Sequence, residues 1–273
     1  MYQKLWLKTW QSVCSIQHWR GAEKIASGSG FVVDGYLITN NHVFYCPPSD
    51  KVVIEFVEQD GSTVMFKKEL TKQEFGAALK EGSPEENWDF AILQIDELRY
   101  FPSLKFCAPE KKISVGTSIG LLGYAFDQKN LSIHSGIISS KFCKGSIKYM
   151  QIDASVNQGN SGGPLIDYET GEVIGIITRA AKGLTKMFDE LIESFDGNIE
   201  ALSAVAGGVK FSGIDPMDVL AVSQRQMKII SNEIKRSANV GIGYAFALDG
   251  VRNFFNSTPP PLHDASMSRV DAG

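Results

Sequence analysis

Alternating apolar and polar positions, punctuated by Gly, Pro, Asn and Asp, divide most of this chain into short segments of strand type. They fall at 12–17, 25–33, 36–39, 51–57, 62–67 and 90–96, and again at 118–124, 131–139, 149–153, 164–167, 173–178 and 240–246. Asp34-Gly35, between the second and third, is a two-residue hairpin signal. Residues 69–82 differ: Leu70, Phe75, Ala78 and Leu79 stand near helical spacing and predict a short helix, followed by a polar loop through 87. Between 181 and 239 the period changes again. Leu184, Phe188, Leu191, Ile192 and Phe195 share one helical face. A second helix is predicted from Asp215 as cap and Pro216 in the first turn, through Leu220, Ile230 and Ile234, to about residue 236.

Composition narrows the class. A chain of 273 residues, 43% hydrophobic, can bury a sizeable core. Its 27 basic and 31 acidic residues are interspersed, giving net charge −4 and no reason to expect nucleic acid as a partner. No apolar run has the length of a membrane helix, and the first ten residues lack the pattern of a signal peptide, so no membrane partner and a cytoplasmic location are expected. Cys14, Cys46, Cys107 and Cys143 are widely spaced and read as buried free thiols. No Cys/His cluster has ligand spacing, so neither a metal nor another cofactor is expected.

The densest chemical signal is Gly159-Asn160-Ser161-Gly162-Gly163-Pro164-Leu165. A serine hydroxyl attacks a carbonyl only if a base takes its proton and donors wait for the charge that develops on oxygen. Glycines flanking Ser161 allow backbone angles that aim N–H groups at one point. A base is then required, and of His18, His42, His134 and His263, His42 lies just past a strand end, where a rigid scaffold can hold it near a cleft. A carboxylate must fix its tautomer, and Asp89, between Trp88 and Phe90 at the head of a strand, is the candidate.

The segments 28–43, 89–93 and 159–165, in the order His, Asp, Ser, resemble the signature regions of trypsin-like serine proteases, most closely those of the bacterial Deg-type (high-temperature-requirement) branch. The resemblance spans roughly residues 12–180 and resumes at 240–256. It implies a mostly β fold of two six-stranded antiparallel β-barrels with a terminal helix, and peptide-bond hydrolysis through an acyl-enzyme. His42 would be the base, Asp89 the orienter and Ser161 the nucleophile, with Gly159, Asn160 and Ser161 forming the oxyanion hole. The expected domain is 1–256, with a first barrel at about 12–100, a second at about 112–180 plus 240–256, a helical insertion at 181–239 and a disordered tail at 257–273.

The insertion departs from the Deg pattern and offers either a helical hairpin packed on the second barrel or a docking arm for a regulatory protein partner. The residue six before the nucleophile is Ser155, which argues against basic side chains at the cleavage position. Ile176, Ile177 and Thr178, on the wall strand, suggest a small or medium apolar one. Asn160 replaces the aspartate that receives a new N-terminus in secreted trypsins, so control by loop ordering or by a partner is expected. No PDZ module is expected after Phe255. Tyr2, Trp6 and Trp10 form an aromatic stripe compatible either with a homo-oligomer or with packing on the chain's own barrel. The reading is thus a serine endopeptidase acting on protein or peptide substrates; its alternative is a catalytically silent protease-like module that holds a partner.

Overall fold

A computed structural model describes residues 2–46, 49–178, 182–207, 210, 212–237 and 241–258, with the backbone alone at 127, 182–186 and 235–237. The elements run α1 (Gln3–Thr9), β1 (Val13–Arg20), β2 (Glu23–Val33), β3 (Tyr36–Thr39), α2 (Asn41–Phe44), β4 (Lys51–Val57), β5 (Val64–Thr71), α3 (Lys72–Ala77), β6 (Leu79–Ser83) and β7 (Phe90–Gln94). They continue with β8 (Ser118–Gly123), β9 (Ser132–Lys144), β10 (Ile147–Asp153), β11 (Pro164–Asp167), β12 (Val173–Thr178), α4 (Lys182–Val205), α5 (Pro216–Ser237), β13 (Ile242–Ala247) and α6 (Asp249–Ser257). The chain divides into two compact units, Met1–Arg179 with Gly241–Gly273, and Ala180–Val240.

In the first unit, β8–β13 close a six-stranded antiparallel barrel in the order β10-β13-β12-β11-β8-β9, and β1–β7 form a seven-stranded sheet in the order β5-β4-β1-β2-β3-β7-β6. The mostly β architecture and the second barrel match expectation, but in place of the expected first six-stranded barrel stands this sheet, which has one strand more and is not closed. The helix expected over 69–82 stops after six residues, and 79–83 instead pair with β7, Leu79 opposite Leu93. A capping box between Thr71 and Glu74 starts α3, and Phe75 is its one buried anchor. Beyond it the polar run Lys80-Glu81-Gly82-Ser83 gains ladder bonds as a solvated edge strand, where charged side chains are at home.

The central strands of this sheet are buried on both faces. Along β2, Phe31 and Val33 join the core shared with the barrel, while Val32 joins the core inside the sheet; β3 and β7 alternate likewise, with Ile38 and Ile92 on the barrel side and Leu37 and Leu93 on the other. Continuous runs such as Phe31-Val32-Val33 follow from that double burial. Asp34 (φ 48°) and Gly35 (φ 78°) make the hairpin between Val33 and Tyr36 that their identity predicted.

The aromatic stripe of α1 is covered by the chain itself. Tyr2 lies 4.7 Å from Tyr168, Trp6 Nε1 donates to Gln59 O at 3.0 Å, and Trp10 is buried. Of the four free cysteines, Cys14, Cys46 and Cys107 are buried, but Cys143 is exposed, contrary to the reading of all four as buried. It lies near the tip of the β9–β10 hairpin, which extends past the expected strand end at 139 and turns at Gly145. Ser257, expected in the tail, ends α6; residues 259–273, His263 among them, lie outside the described residues, as does Val240, the first expected residue of the last strand.

The second unit holds α4 and α5. Phe188, Ile192 and Phe195, on the apolar face of α4, are half-buried, Leu191 is exposed, and the side chain of Leu184 lies outside the described residues. Asp215 begins α5 as expected, its carboxylate accepting from Met217 N at 2.8 Å and from Gly207 N.

His18, on β1, is not surface: it is buried, its Nε2 2.8 Å from the carbonyl of Val43 in α2 and its Nδ1 3.3 Å from Ser49 Oγ. Nε2–H must donate to that carbonyl, which pins α2 to the sheet. Burial pushes the His18 pKa down from 6.5 to about 4. Below pH 6.5 the unfolded chain takes up a proton that the folded ring refuses, so stability falls as pH drops toward 4, by roughly 3 kcal/mol from this group. Urea unfolding at stepped pH will show that loss, and His18→Gln, which keeps a donor but cannot titrate, will flatten it.

Candidate active site

Strand register brings the first two candidate residues together. β3 and β7 are neighbours, with Thr39 opposite Ala91, so the chain leaving β3 and the chain entering β7 emerge side by side. His42 sits in the single turn α2, and Asp89 immediately precedes β7. His42 Nδ1 lies 2.7 Å from Asp89 Oδ2, and His42 N donates to Asp89 Oδ1 at 3.1 Å. The carboxylate thus grips ring and backbone of one residue.

Asp89 is fully buried and adopts φ +42°, a left-handed conformation uncommon outside Gly, Asn and Asp. Its N–H donates to Pro84 O at 3.1 Å, and its carbonyl accepts from Asn40 Nδ2 at 2.8 Å. From β12 in the barrel, Thr178 Oγ1 donates to Oδ2 at 3.2 Å. An ionised carboxylate without water is tolerable only with such donors. The sequence assigned Thr178 to substrate contact; the structure turns its hydroxyl to Asp89, where it is a positioning group.

Ser161 stands on the loop before β11. Gly159 (φ +94°) and Gly162 (φ +86°) bracket it in left-handed backbone, as the glycines around it suggested. A Cβ on Gly162 would lie 2.2 Å from Ser29 O and 3.0 Å from Asn40 N, and one on Gly28 would meet Val43 and, at 3.2 Å, Ser161 O. These glycines let the loop lie directly against the His42 segment. Among the described residues no hydrogen bond joins Ser161 Oγ to the His42 ring, and the N–H groups of Gly159 and Ser161 donate to no protein acceptor. Both residues are buried, so these are two donors with unused capacity beside the hydroxyl.

Asn160 differs from what was expected of it. Its N–H donates to Asn157 O at 3.0 Å, so it does not join Gly159 and Ser161 as a donor with unused capacity. Its side chain is fully buried against Gly123 and has no protein partner. The wall assignment of Ile176 and Ile177 also fails: both are fully enclosed in the core, and Ile177 exchanges backbone bonds with Gly162 and Gly163 at 2.9 Å. Paired with β11 and β13, they hold the Ser161 loop from behind. Ser155 is exposed.

Ser29 carried no signal beyond a small residue between glycines. It is fully buried, its N–H donates to Ser161 O at 2.8 Å, its Oγ donates to Gly159 O at 2.7 Å and accepts from Tyr124 N at 3.0 Å, and its carbonyl accepts from Thr39 Oγ1 at 2.7 Å. One β2 residue therefore joins the Ser161 loop to the strand that leads to His42.

The model of the trypsin-like peptidase domain matches residues 28–176. A probable periplasmic DegP-like serine endoprotease of Rhizobium meliloti is 36% identical over 159 residues, 56% of this chain and 28% of that protein. Among solved structures, the serine endoprotease of Yersinia pestis superposes with TM-score 0.51 at 26% identity, covering 67% of this chain and 58% of that one. The HtrA-type protease AlgW with tripeptide gives TM-score 0.51 at 27% identity, covering 65% and 54%. The chain spans less than a third of the length of the curated relatives it matches first. Their periplasmic names overturn the expected cytoplasmic location. Free thiols were a poor guide, since buried cysteines behave as small apolar side chains in any compartment.

Ser29→Ala removes one donor and one acceptor from buried partners, and will lower the unfolding free energy by about 2 kcal/mol in urea titration. Thr178→Val keeps the shape but strips a donor from a buried carboxylate; it will slow modification of Ser161 by a fluorophosphonate about tenfold or more, with the unfolding midpoint falling far less than in Asp89→Ala.

Proposed function

Because this chain belongs to the trypsin-like peptidase family, we propose that it is a serine endopeptidase that cleaves proteins or peptides through an acyl-enzyme. The observation that carries the reading is the 2.7 Å contact of His42 Nδ1 with the buried Asp89 carboxylate, which leaves Nε2 as the free basic nitrogen of the ring. His42 Nε2 takes the proton of Ser161 Oγ as that oxygen attacks the scissile carbonyl carbon. The oxyanion so formed accepts from Gly159 N–H and Ser161 N–H. Collapse of the tetrahedral intermediate breaks the C–N bond, and His42 gives its proton to the departing amine. Water, deprotonated by the same nitrogen, then releases the acyl group.

The open Ser161–His42 pair supports control at this point. Ordering of the loop, by substrate or by a protein partner, draws hydroxyl and ring together; catalytic hydrogen bonds commonly tighten only when the site is filled. Ser155, small and neutral at the position six before Ser161, supports cleavage after a small or medium uncharged side chain. The periplasmic names of its relatives support action outside the cytoplasm.

Labelling with a fluorophosphonate and mass mapping will place the adduct on Ser161 and abolish it in Ser161→Ala and His42→Ala. Asp89→Asn will lower the labelling rate by a factor on the order of 10⁴. An intact protein that resists labelling with and without a peptide library would be a module that holds its partner without cutting it.

A further inference from the structure

A cavity of about 140 Å³ lies beside β1 and β2, lined by Gln17 and Trp19 of β1, Lys24 and Ser27 of β2, and Tyr124 and Lys129 from the segment after β8, among others. Two of these side chains bring buried donors that the protein leaves unused. Among the described residues, neither Trp19 Nε1 nor the hydroxyl of Tyr124, a residue only 1% exposed, has a hydrogen-bond partner. Burial first, then the charges of Cys14 and Glu55, raises the Tyr124 pKa, so the hydroxyl stays protonated and able to donate. An indole N–H can only donate. Buried donors without acceptors destabilise a fold, and two at one cavity point to a ligand that supplies the acceptors. Lys24 and Lys129 add positive charge, and no carboxylate lines the cavity among the described residues. Glu55, on the neighbouring β4, is engaged by Gln17 Nε2 at 2.8 Å. The cavity is also tied to the Ser161 loop. Tyr124 N donates to Ser29 Oγ, which donates to Gly159 O, and Phe126 N donates to Gln158 O at 2.6 Å. Ser27 stands two residues, about 7 Å, along β2 from Ser29, whose N–H donates to Ser161 O.

We propose that this cavity is a subsite for the carboxylate of one acidic side chain, carried by a peptide lying across Ser161 at two or three residues from the bond to be cut. The inference rests on the peptidase reading for its location and on the unused donors for its chemistry. Extended peptide rises about 3.3 Å per residue, so a span of 7 to 10 Å is two or three residues. A cavity of about 150 Å³ holds a molecule the size of benzene, so this one admits a single aspartate or glutamate side chain. Its carboxylate accepts from Trp19 Nε1–H and the Tyr124 hydroxyl, with Lys24 and Lys129 balancing the charge. An uncharged amide offers one acceptor oxygen to the same two donors and gains nothing from the lysines.

The test is calorimetric titration of the full chain carrying Ser161→Ala, which binds without turnover, with short alanine–glycine peptides in which one glutamate, or a glutamine in its place, is walked along the sequence. At one position glutamate is expected to bind about tenfold more tightly than glutamine. Tyr124→Phe, which removes only the unpartnered hydroxyl, will weaken that glutamate peptide about tenfold while the urea midpoint of the free protein stays the same or rises. Lys129→Met will narrow the gap between glutamate and glutamine. Equal binding of the two peptides at every position overturns the proposal, and so does a glutamate preference that Tyr124→Phe leaves unchanged. N-acetylglutamate amide bound as tightly as the best peptide overturns the peptide as carrier, in favour of a free carboxylate. Glutamate preference in a chain whose Ser161 resists fluorophosphonate would keep the subsite and remove the peptidase reading; labelling at Ser161 without that preference removes the subsite alone.

Discussion

A carboxylate sealed from water organises the site. Asp89 has no exposure, and such an anion is stable only where donors surround it. The ring and N–H of His42 come from the turn after β3, and the Thr178 hydroxyl comes from β12 in the barrel. Loss of any donor leaves charge buried with less compensation, so the two β systems are joined here by a polar need as well as by apolar contact. The left-handed backbone at Asp89 is part of the same arrangement. It turns the chain so that carboxylate and strand β7 start from one point.

The Ser161 loop obeys a complementary constraint, that of space. Gly28, Gly162 and Gly163 are places where a Cβ would strike backbone or core atoms, and their absence lets the loop lie against β2 and the end of β3. Ser29 then satisfies the loop's groups from within the sheet. Proposed nucleophile and base thus sit on different β systems, with a single strand, β2, bonded to one and leading to the other. Small shifts between sheet and barrel act directly on the gap between Ser161 and His42.

Much of this was legible because it is local. Asp34-Gly35 can hardly be anything but a tight hairpin, and glycines around Ser161 advertise left-handed backbone. The strand ends just before His42 and just after Asp89 were legible in the same way, but the pairing of β3 with β7 that brings them together is not local. What the sequence did not reveal depends on direction and on distant pairing. Whether Thr178 faces substrate or Asp89, and whether Ile176 lines a cleft or a core, is fixed by barrel closure. The strand at 79–83 exists because β7 offers an open edge, a fact about a neighbour and not about Lys80 or Glu81.

The order in which the barrel is assembled along the chain has a temporal meaning. Its closing strand, β13, lies between β10 and β12 in space but follows the whole helical unit in sequence. A ribosome therefore delivers Ser161, Thr178 and both helices before the strand that seals the wall behind them. Until then β12 and β10 each have an unpaired edge, and the loop they support lacks its final brace. The nascent chain thus carries the parts of the proposed site long before it can hold them in place.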